Sequence, residues 1–552
     1  MTERLEFYRK ATARAARASR SFRDSEAGTL TAFSLYIFIA MIMVCGLTID
    51  LMRYEAVRTR LQSTNDRAVL ASADLDNTLD AREVVEDYFN KAGLGDYLDD
   101  VVVEKGLNYK EVSAEVSASI PTWFMNMSGI YQLDALAQSK AEERIQNIEI
   151  SLVLDISGSM SGTKNANMIK AANDFAATIM EANENLASDG TGLAAISVIP
   201  YNASVSAPEF LLDEYNVSEH QTFSRCVRFK SSDFSSLSLS TSAALDRLSH
   251  FDPYNSNMHR VNGVNFIEDP WCHNNGVADI LPLSTSLSDL QGKISSLGAQ
   301  GNTATDVGMK WAAALLDPGS RPMVSNLIGD NQLDSRLEDR PVNYQDPETI
   351  KVVVLMTDGA NTSQLDLKNK YKGNMSPVWY SDDTDRYFVY FENRDDDGAA
   401  PWWDPGRKPH EDTNGNDSNK GEWIWDIPDN ADDAVQLTHA ELNSRYNIRF
   451  ISEYFFRVKN NSQNSIRKEY RNARHTFTGN TTADNYTKNL CTLLKAQKVQ
   501  IFTIGFEAPQ RGQDLMLACA TSPSHYYDVK GVEIAEAFSS IANTIQQLRL
   551  AL

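Results

Sequence analysis

The chain has 552 residues, 42% of them hydrophobic, which is enough for two or three domains with real cores and excludes global disorder. Its formal net charge of −22 excludes a nucleic-acid partner of the usual kind, because phosphate recognition needs a basic surface.

The one basic stretch is the N-terminus, where Arg4, Arg9, Lys10, Arg14, Arg17, Arg20 and Arg23 outnumber Glu3, Glu6, Asp24 and Glu26. An uncharged apolar run follows from Ala27 to Ile49, long enough to cross about 30 Å of hydrocarbon. A cleaved signal peptide would have a shorter apolar region followed at once by small residues. Here Asp50, Arg53 and Glu55 follow, and the first A-x-A after the span (Ala71, Ala73) lies far downstream. The expectation is a retained inner-membrane anchor with residues 1–26 as a cytoplasmic basic tail. Everything beyond Asp50 then lies in the periplasm or at the surface. Helical character from Arg53 to Ala73 predicts a stalk that continues the membrane helix. Between there and Asn147, VVVEK and EVSAEVSASI predict strands and PTWFMNMSGI a short helix or turn, so 50–147 reads as a stalk helix with a small α+β region.

At Ile148 the pattern changes. IEISLVLD, GLAAISVIPY, KVVVLMTDG and VQIFTIGFE are short β-branched runs typical of strands buried on both faces. Between them lie helical stripes such as Ile169, Ala172, Phe175, Ala176, Ile179 and Met180, the segment TDVGMKWAAALL, and a final helix carrying Ile534, Phe538, Ile541 and Ile545. This alternation predicts an α/β domain over 148–552 with a doubly wound, mostly parallel sheet. Two stretches, about 204–279 and 362–489, are far too long for connections and are expected as inserted subdomains.

The first of these strands ends in Asp155-Ile-Ser157-Gly-Ser159, where ligands of open α/β sheets bind. One carboxylate and two hydroxyls at alternate positions are hard oxygen donors suited to magnesium, manganese or calcium rather than zinc or copper. Gly158 is expected to let the backbone turn tightly enough for them to converge. The loop Gly301-Asn-Thr303-Ala-Thr305-Asp306 offers another hydroxyl, and Met356-Thr357-Asp358-Gly359 a second carboxylate. Asp306 is expected to serve its own helix N-terminus through the dipole rather than an ion.

The set D-x-S-G-S, G-N-T-x-T and T-D-G resembles the metal-ion-dependent adhesion site of the von Willebrand factor A domain. That resemblance, which runs from about Ile148 to the last helix outside the two insertions, assigns Asp155, Ser157, Ser159, Thr303 and Asp358 as metal ligands. It implies a divalent cation, magnesium as the expected ion with manganese or calcium as alternatives, one of whose positions is completed by an acidic residue of a partner. The basic N-terminus, the single span and the segments GNTATDVGMKW, VQIFTIGFE and AFSSIANTIQQLRL resemble the Tad-G-like proteins of tight-adherence (Flp) pilus systems. The implied role is a metal-dependent, membrane-anchored binding component of pilus assembly, with other pilus proteins as partners. The alternatives are a surface adhesin for host or matrix ligands and a metal-dependent phosphoester hydrolase. Phe33 stands five residues after Gly28, where a processed prepilin would carry Glu, so the chain departs from typical prepilins.

Outside the span, Cys226, Cys272, Cys491 and Cys519 allow three pairings; joining neighbours in sequence is the simplest, and the family resemblance implies Cys491 with Cys519. Asp412-x-Asn414-x-Asn416 imitates a calcium loop but has Asp417 where Gly is required and Trp423 where Glu is required. Trp402, Trp403, Trp423, Trp425, Tyr387 and Tyr390 could form a contact surface and are read instead as the core of the second insertion. H-E-x-x-H, a G-x-S-x-G elbow and a P-loop are absent, so the chain is read as a binding protein and not an enzyme.

Overall fold

The computed structural model describes residues 2–23, 27–74, 79–105, 109–144, 147–184, 193–253, 267, 269–273, 276–392, 394, 398–405, 421–458 and 464–550. The calcium-like run at Asp412, Asn414 and Asn416 lies outside them. The chain forms two compact units, Met1–Arg144 and Ile145–Leu552.

The first unit begins with helix α1 (Thr2–Arg23) and continues with α2 (Ala27–Ser72), 46 residues without a break. Its N-terminal half shows Leu30, Phe33, Tyr36, Phe38 and Val44 to the outside, and among the described residues it is the one helix long and apolar enough to cross a membrane. Further along, Leu61, Ala68 and Val69 are buried against α3 (Ala81–Lys91), through Val85 and Phe89, and against a three-stranded antiparallel sheet. Its strands are β1 (Leu98–Lys105), β2 (Tyr109–Pro121) and β3 (Gln132–Arg144), in that spatial order. Asp80 caps α3 by accepting from the backbone N–H groups of Arg82 and Glu83. The segment PTWFMNMSGI forms a 3-10 turn, Met125–Ser128.

The second unit is built on β4 (Asn147–Asp155), α4 (Thr163–Glu184), β5 (Ala194–Tyr201), β6 (Leu281–Ser284), α5 (Leu287–Ser295), α6 (Thr305–Leu316), β7 (Thr349–Thr357), α7 (Asn480–Ala496), β8 (Gln500–Phe506), α8 (Gln510–Cys519), β9 (Tyr526–Val529) and α9 (Glu533–Leu550). The sheet order is β9-β8-β7-β4-β5-β6. The first five strands are parallel, whereas β6 pairs antiparallel to β5. The expected doubly wound parallel sheet is therefore met only in part: the sheet is mixed. Among the described residues of the first insertion the one α-helix is the single turn Glu209–Leu212, too short for a crossover that would bring the chain back parallel, and β6 pairs antiparallel at the edge.

Alternate residues of each strand serve opposite faces. Ile150, Leu152 and Leu154 of β4 join Phe175 and Ile179 of α4, Leu290 of α5, and Ile534, Phe538, Ile541 and Ile545 of α9. On the other face Val153, Ile199, Leu355 and Ile501 meet Met309 and Trp311 of α6, Leu490 of α7 and Met516 of α8.

A third core belongs mainly to the insertions. In the second insertion five antiparallel strands (Glu422–Ile424, Trp402–Asp404, Arg386–Tyr390, Met375–Ser381, Val435–Thr438, in spatial order) enclose Val378, Tyr387, Val389 and Trp403 with Phe455 and Phe456. Trp403 and Tyr387 are buried and Trp423 packs against them, as core residues would. Tyr390 and Trp402 are half-buried, and Trp425 is 68% exposed. Cys226 is bonded to Cys272 and Cys491 to Cys519, the neighbouring pairs. Asp366, fully buried, holds the two insertions together. It accepts from Arg228 and the Ser249 N–H of the first and from Lys372 of the second, while Asp246 pairs with both cations.

Candidate functional site: a buried carboxylate pair under a hydroxyl rim

The C-terminal ends of β4 and β7 lie side by side, which brings Asp155 and Asp358 to one edge of the sheet. The Asp155 carboxylate accepts from the Ser157 N–H at 2.8 Å and from Thr357 Oγ1 at 2.7 Å; Tyr201 lies at 3.5 Å. Burial, and then the charge of Asp358, push its pKa up to about 6 against these hydrogen bonds. Ser157 Oγ is 3.0 Å from Ser159 Oγ, and Ser159 Oγ donates to Asp358 Oδ1 at 2.6 Å. Asp155, Ser157, Thr303 and Asp358 are buried, whereas Ser159 is exposed, so the group opens to solvent on the Ser159 side.

Thr303 belongs to the same group. A Cβ added to Gly359 would sit 3.1 Å from Thr303 Oγ1 and 3.8 Å from Ser159 Oγ, so both hydroxyls border the T-D-G loop. Thr303 is held there by reciprocal bonds with Thr362: the Thr362 N–H donates to its carbonyl at 2.9 Å, and its own N–H donates to Thr362 Oγ1 at 3.3 Å. At Gly158 the backbone makes a close approach that leaves little room for a side chain. The Gly158 N–H donates to the Gly301 carbonyl at 2.9 Å, and a Cβ would stand 3.2 Å from that oxygen. Gly301 has φ +82°, the left-handed conformation in which glycine is favoured.

Asp306 is fully buried, and both of its oxygens accept from Gln364 Nε2, at 2.6 and 2.8 Å. Burial pushes its pKa up to about 6.

Three participants were not read from the sequence. Lys164, in the first turn of α4, donates to Asp358 Oδ2 at 3.0 Å and lies 3.4 Å from Glu507 Oε2 beyond the end of β8. Partial burial works against its charge, but the Asp358 hydrogen bond and the charges of Asp358 and Glu507 outweigh it and raise its pKa above that of an ordinary lysine. Gly512, in α8, packs its Cα against the Gly359 carbonyl, where any Cβ would collide. A lysine nine residues after the first aspartate was the one local signal available; Gly512 carried none.

The donor set is two carboxylates and three hydroxyls, all hard oxygens, with the carboxylates repelling each other in a buried setting. That chemistry fits a divalent cation of the magnesium or calcium class. Among the described residues no cluster of three or more His, Cys, Asp or Glu is placed to hold a metal. Here hydroxyls supply most of the donors.

Residues 28–75, essentially the length of α2, match the model of a family described as putative Flp pilus-assembly TadE/G-like. The Tad-type resemblance read from the sequence is thus shown at the N-terminal helix. The comparison with curated proteins finds no match. Among solved structures, the chain is similar to the vWF domain of the type V pili tip protein Mfa5 from Porphyromonas gingivalis (14% identity, 73% of this chain and 96% of that one, TM-score 0.30). It is also similar to the pilus adhesin RrgA from Streptococcus pneumoniae (12%, 81% and 49%, TM-score 0.29). A third is the adhesive tip pilin GBS104 from Group B Streptococcus agalactiae (11%, 72% and 100%, TM-score 0.27).

Proposed function

We propose that this chain is a membrane-anchored, metal-dependent binding component of a pilus system, carrying its adhesive site at the C-terminal edge of the mixed sheet. The observation that carries the reading is the convergence of Asp155 and Asp358 with Ser157, Ser159 and Thr303, buried below and open above. These five residues would hold the ion. When bound, magnesium (or manganese or calcium) supplies a coordination position that a partner's carboxylate completes. The apolar half of α2 anchors the chain, and the basic residues preceding it orient the N-terminus toward the cytoplasm and the body toward the periplasm or surface.

The reading is one of binding and not of catalysis. Asp155 is buried and engaged by Ser157 and Thr357, and Asp358 is engaged by Ser159 and Lys164, so neither carboxylate is presented as a free base.

Isothermal titration of the full chain in detergent with magnesium, manganese and calcium, beside Asp155→Ala, tests this. One-site binding lost in a folded variant is the expected result. Undiminished binding by Asp155→Ala, or a variant that unfolds, would refute the assignment.

A further inference from the structure

We infer that the hairpin tip between β2 and β3, residues 122–131, is a second membrane contact: an apolar and aromatic wedge seated in the interface of the bilayer that α2 crosses. The inference rests on the reading of α2 as a membrane span.

The tip is tied to the helix at one level. The Asp50 carboxylate accepts three consecutive backbone N–H groups, those of Trp123, Phe124 and Met125, at 2.9, 2.8 and 2.8 Å. Phe124 lies directly on Gly46, where no Cβ could be accommodated. Arg53 donates to the Pro121 carbonyl at 3.2 Å and places its guanidinium 3.7 Å from the centre of the Trp123 ring. Thr122 closes the tip through the carbonyls of Ile130 and Tyr131.

That level is the end of the span. The apolar run Ala27–Ile49 measures about 35 Å along the helix axis, slightly more than the hydrocarbon thickness. Gly46 falls within its last turn and Asp50 just past it. A loop fastened to Gly46 and Asp50 therefore lies at the depth where the hydrocarbon core gives way to headgroups.

The surface of the tip suits that depth. Thr122–Tyr131 contains no charged residue. Trp123 is 61% exposed, Met127 64%, Ile130 43% and Tyr131 73%. Four large exposed apolar or aromatic side chains in nine residues are costly in water, and tryptophan and tyrosine at this height are the residues of an interfacial belt. Asp50 also gains its logic here. A carboxylate at the edge of the hydrocarbon is expensive unless paired, and three N–H donors satisfy it while fixing the tip against the helix.

Spin-label accessibility of the full chain in vesicles of phosphatidylethanolamine and phosphatidylglycerol tests the proposal. With Cys45→Ala removing the free thiol, one nitroxide at a time is placed at Met127→Cys, at Tyr36→Cys inside the span, and at Val102→Cys on β1. Val102 pairs with Ser113, eight residues along β2 from Pro121, or about 27 Å from the tip. The expected result is that position 127 follows position 36, colliding with oxygen more than with a water-soluble nickel chelate, while position 102 shows the reverse order. Ile130→Cys repeats the measurement should the label at 127 disturb the tip. A label at 127 that behaves like 102 overturns the inference. So does one shielded from both reagents, which would mean that a second copy or a pilus protein covers the tip. A label at 36 that is also water-exposed would remove the span itself, a failure distinct from that of the tip.

Discussion

If the proposed site takes a divalent ion, replacing Lys164 by Met should make that ion bind more tightly. The Asp358 side chain is fully buried and has two side-chain donors, Ser159 and Lys164. A charge-assisted hydrogen bond of this kind contributes about 1.5–3 kcal/mol when well buried. The Lys164 side chain is 26% exposed and shared with Glu507, so the lower part of that range applies, about 1–2 kcal/mol after screening. Methionine keeps much of the stem's packing and removes the charge together with its hydrogen bond to Asp358. The metal-free variant should therefore be less stable by that amount. A bound divalent ion supplies the missing positive charge, so the deficit should close when the site is saturated. Thermodynamic linkage then requires that the same 1–2 kcal/mol appear in the binding equilibrium, as a roughly 5- to 30-fold lower Kd for the ion.

Titration calorimetry of the full-length protein and of Lys164→Met with magnesium reads the affinity directly, and melts with and without the ion read the linked stability. Glu507→Gln should shift affinity the other way, because it takes from Lys164 its alternative partner and commits it to Asp358. Equal or weaker binding by Lys164→Met would refute the reasoning, as would a destabilisation that persists unchanged at saturating ion.

Much of the site was legible because its parts are local. Asp155, Ser157 and Ser159 sit within five residues at the end of a strand whose apolar run announces itself, and Thr303 and Asp358 each lie in a short loop with its own pattern. Lys164 and Gly512 belong to the same site but reach it only through tertiary packing, Lys164 by the direction in which α4 leaves the loop and Gly512 by the seating of α8 on the Gly359 carbonyl. Beyond the nine-residue spacing of Lys164 from Asp155, nothing in their own neighbourhoods reports that. The antiparallel turn of β6 was hidden for another reason: four residues, Leu281–Ser284, are too few for a periodicity to show. The same holds in the second insertion, where Trp402–Asp404 and Glu422–Ile424 are three-residue strands whose aromatic content was visible but whose sheet was not. There the core reading succeeds for Trp403 and Tyr387 and fails for Trp425, because composition ranks burial by residue type and the sheet assigns it by face. Asp50 makes the point most sharply. In the sequence it only bounds the apolar run, yet in the fold it binds N–H groups 73 to 75 residues away.

Asp366→Ala should loosen both insertions by about 3 kcal/mol, because it leaves Arg228 and Lys372 with Asp246 as their shared counter-ion. Hydrogen exchange at 226–228 and 364–367 reads this; adding Arg228→Met should recover part of the loss, and strictly additive effects would count against the clamp. His439 makes the second insertion sensitive to acid. Its ring is 3% exposed, lies edge-on to Tyr371 at 5.2 Å, and has its pKa lowered from 6.5 to about 4 by burial and then by the charge of Lys370. Between those two values the unfolded chain binds a proton that the folded one does not, so stability falls as the pH drops from about 6.5 toward about 4. The shift corresponds to a loss of at most about 3 kcal/mol at the acid end. Asp155 and Asp306, whose pKa values are raised to about 6, act in the opposite sense, because burial favours their protonated forms and adds stability as the pH falls below about 6. The net acid profile thus does not isolate the histidine, but its difference from that of His439→Phe does, since both carboxylates are common to the two proteins. Exchange protection across the 375–381 and 435–438 strands should fall more steeply with acid in the native chain than in His439→Phe. Parallel profiles would show that His439 is protonated in the folded state as readily as in the unfolded one.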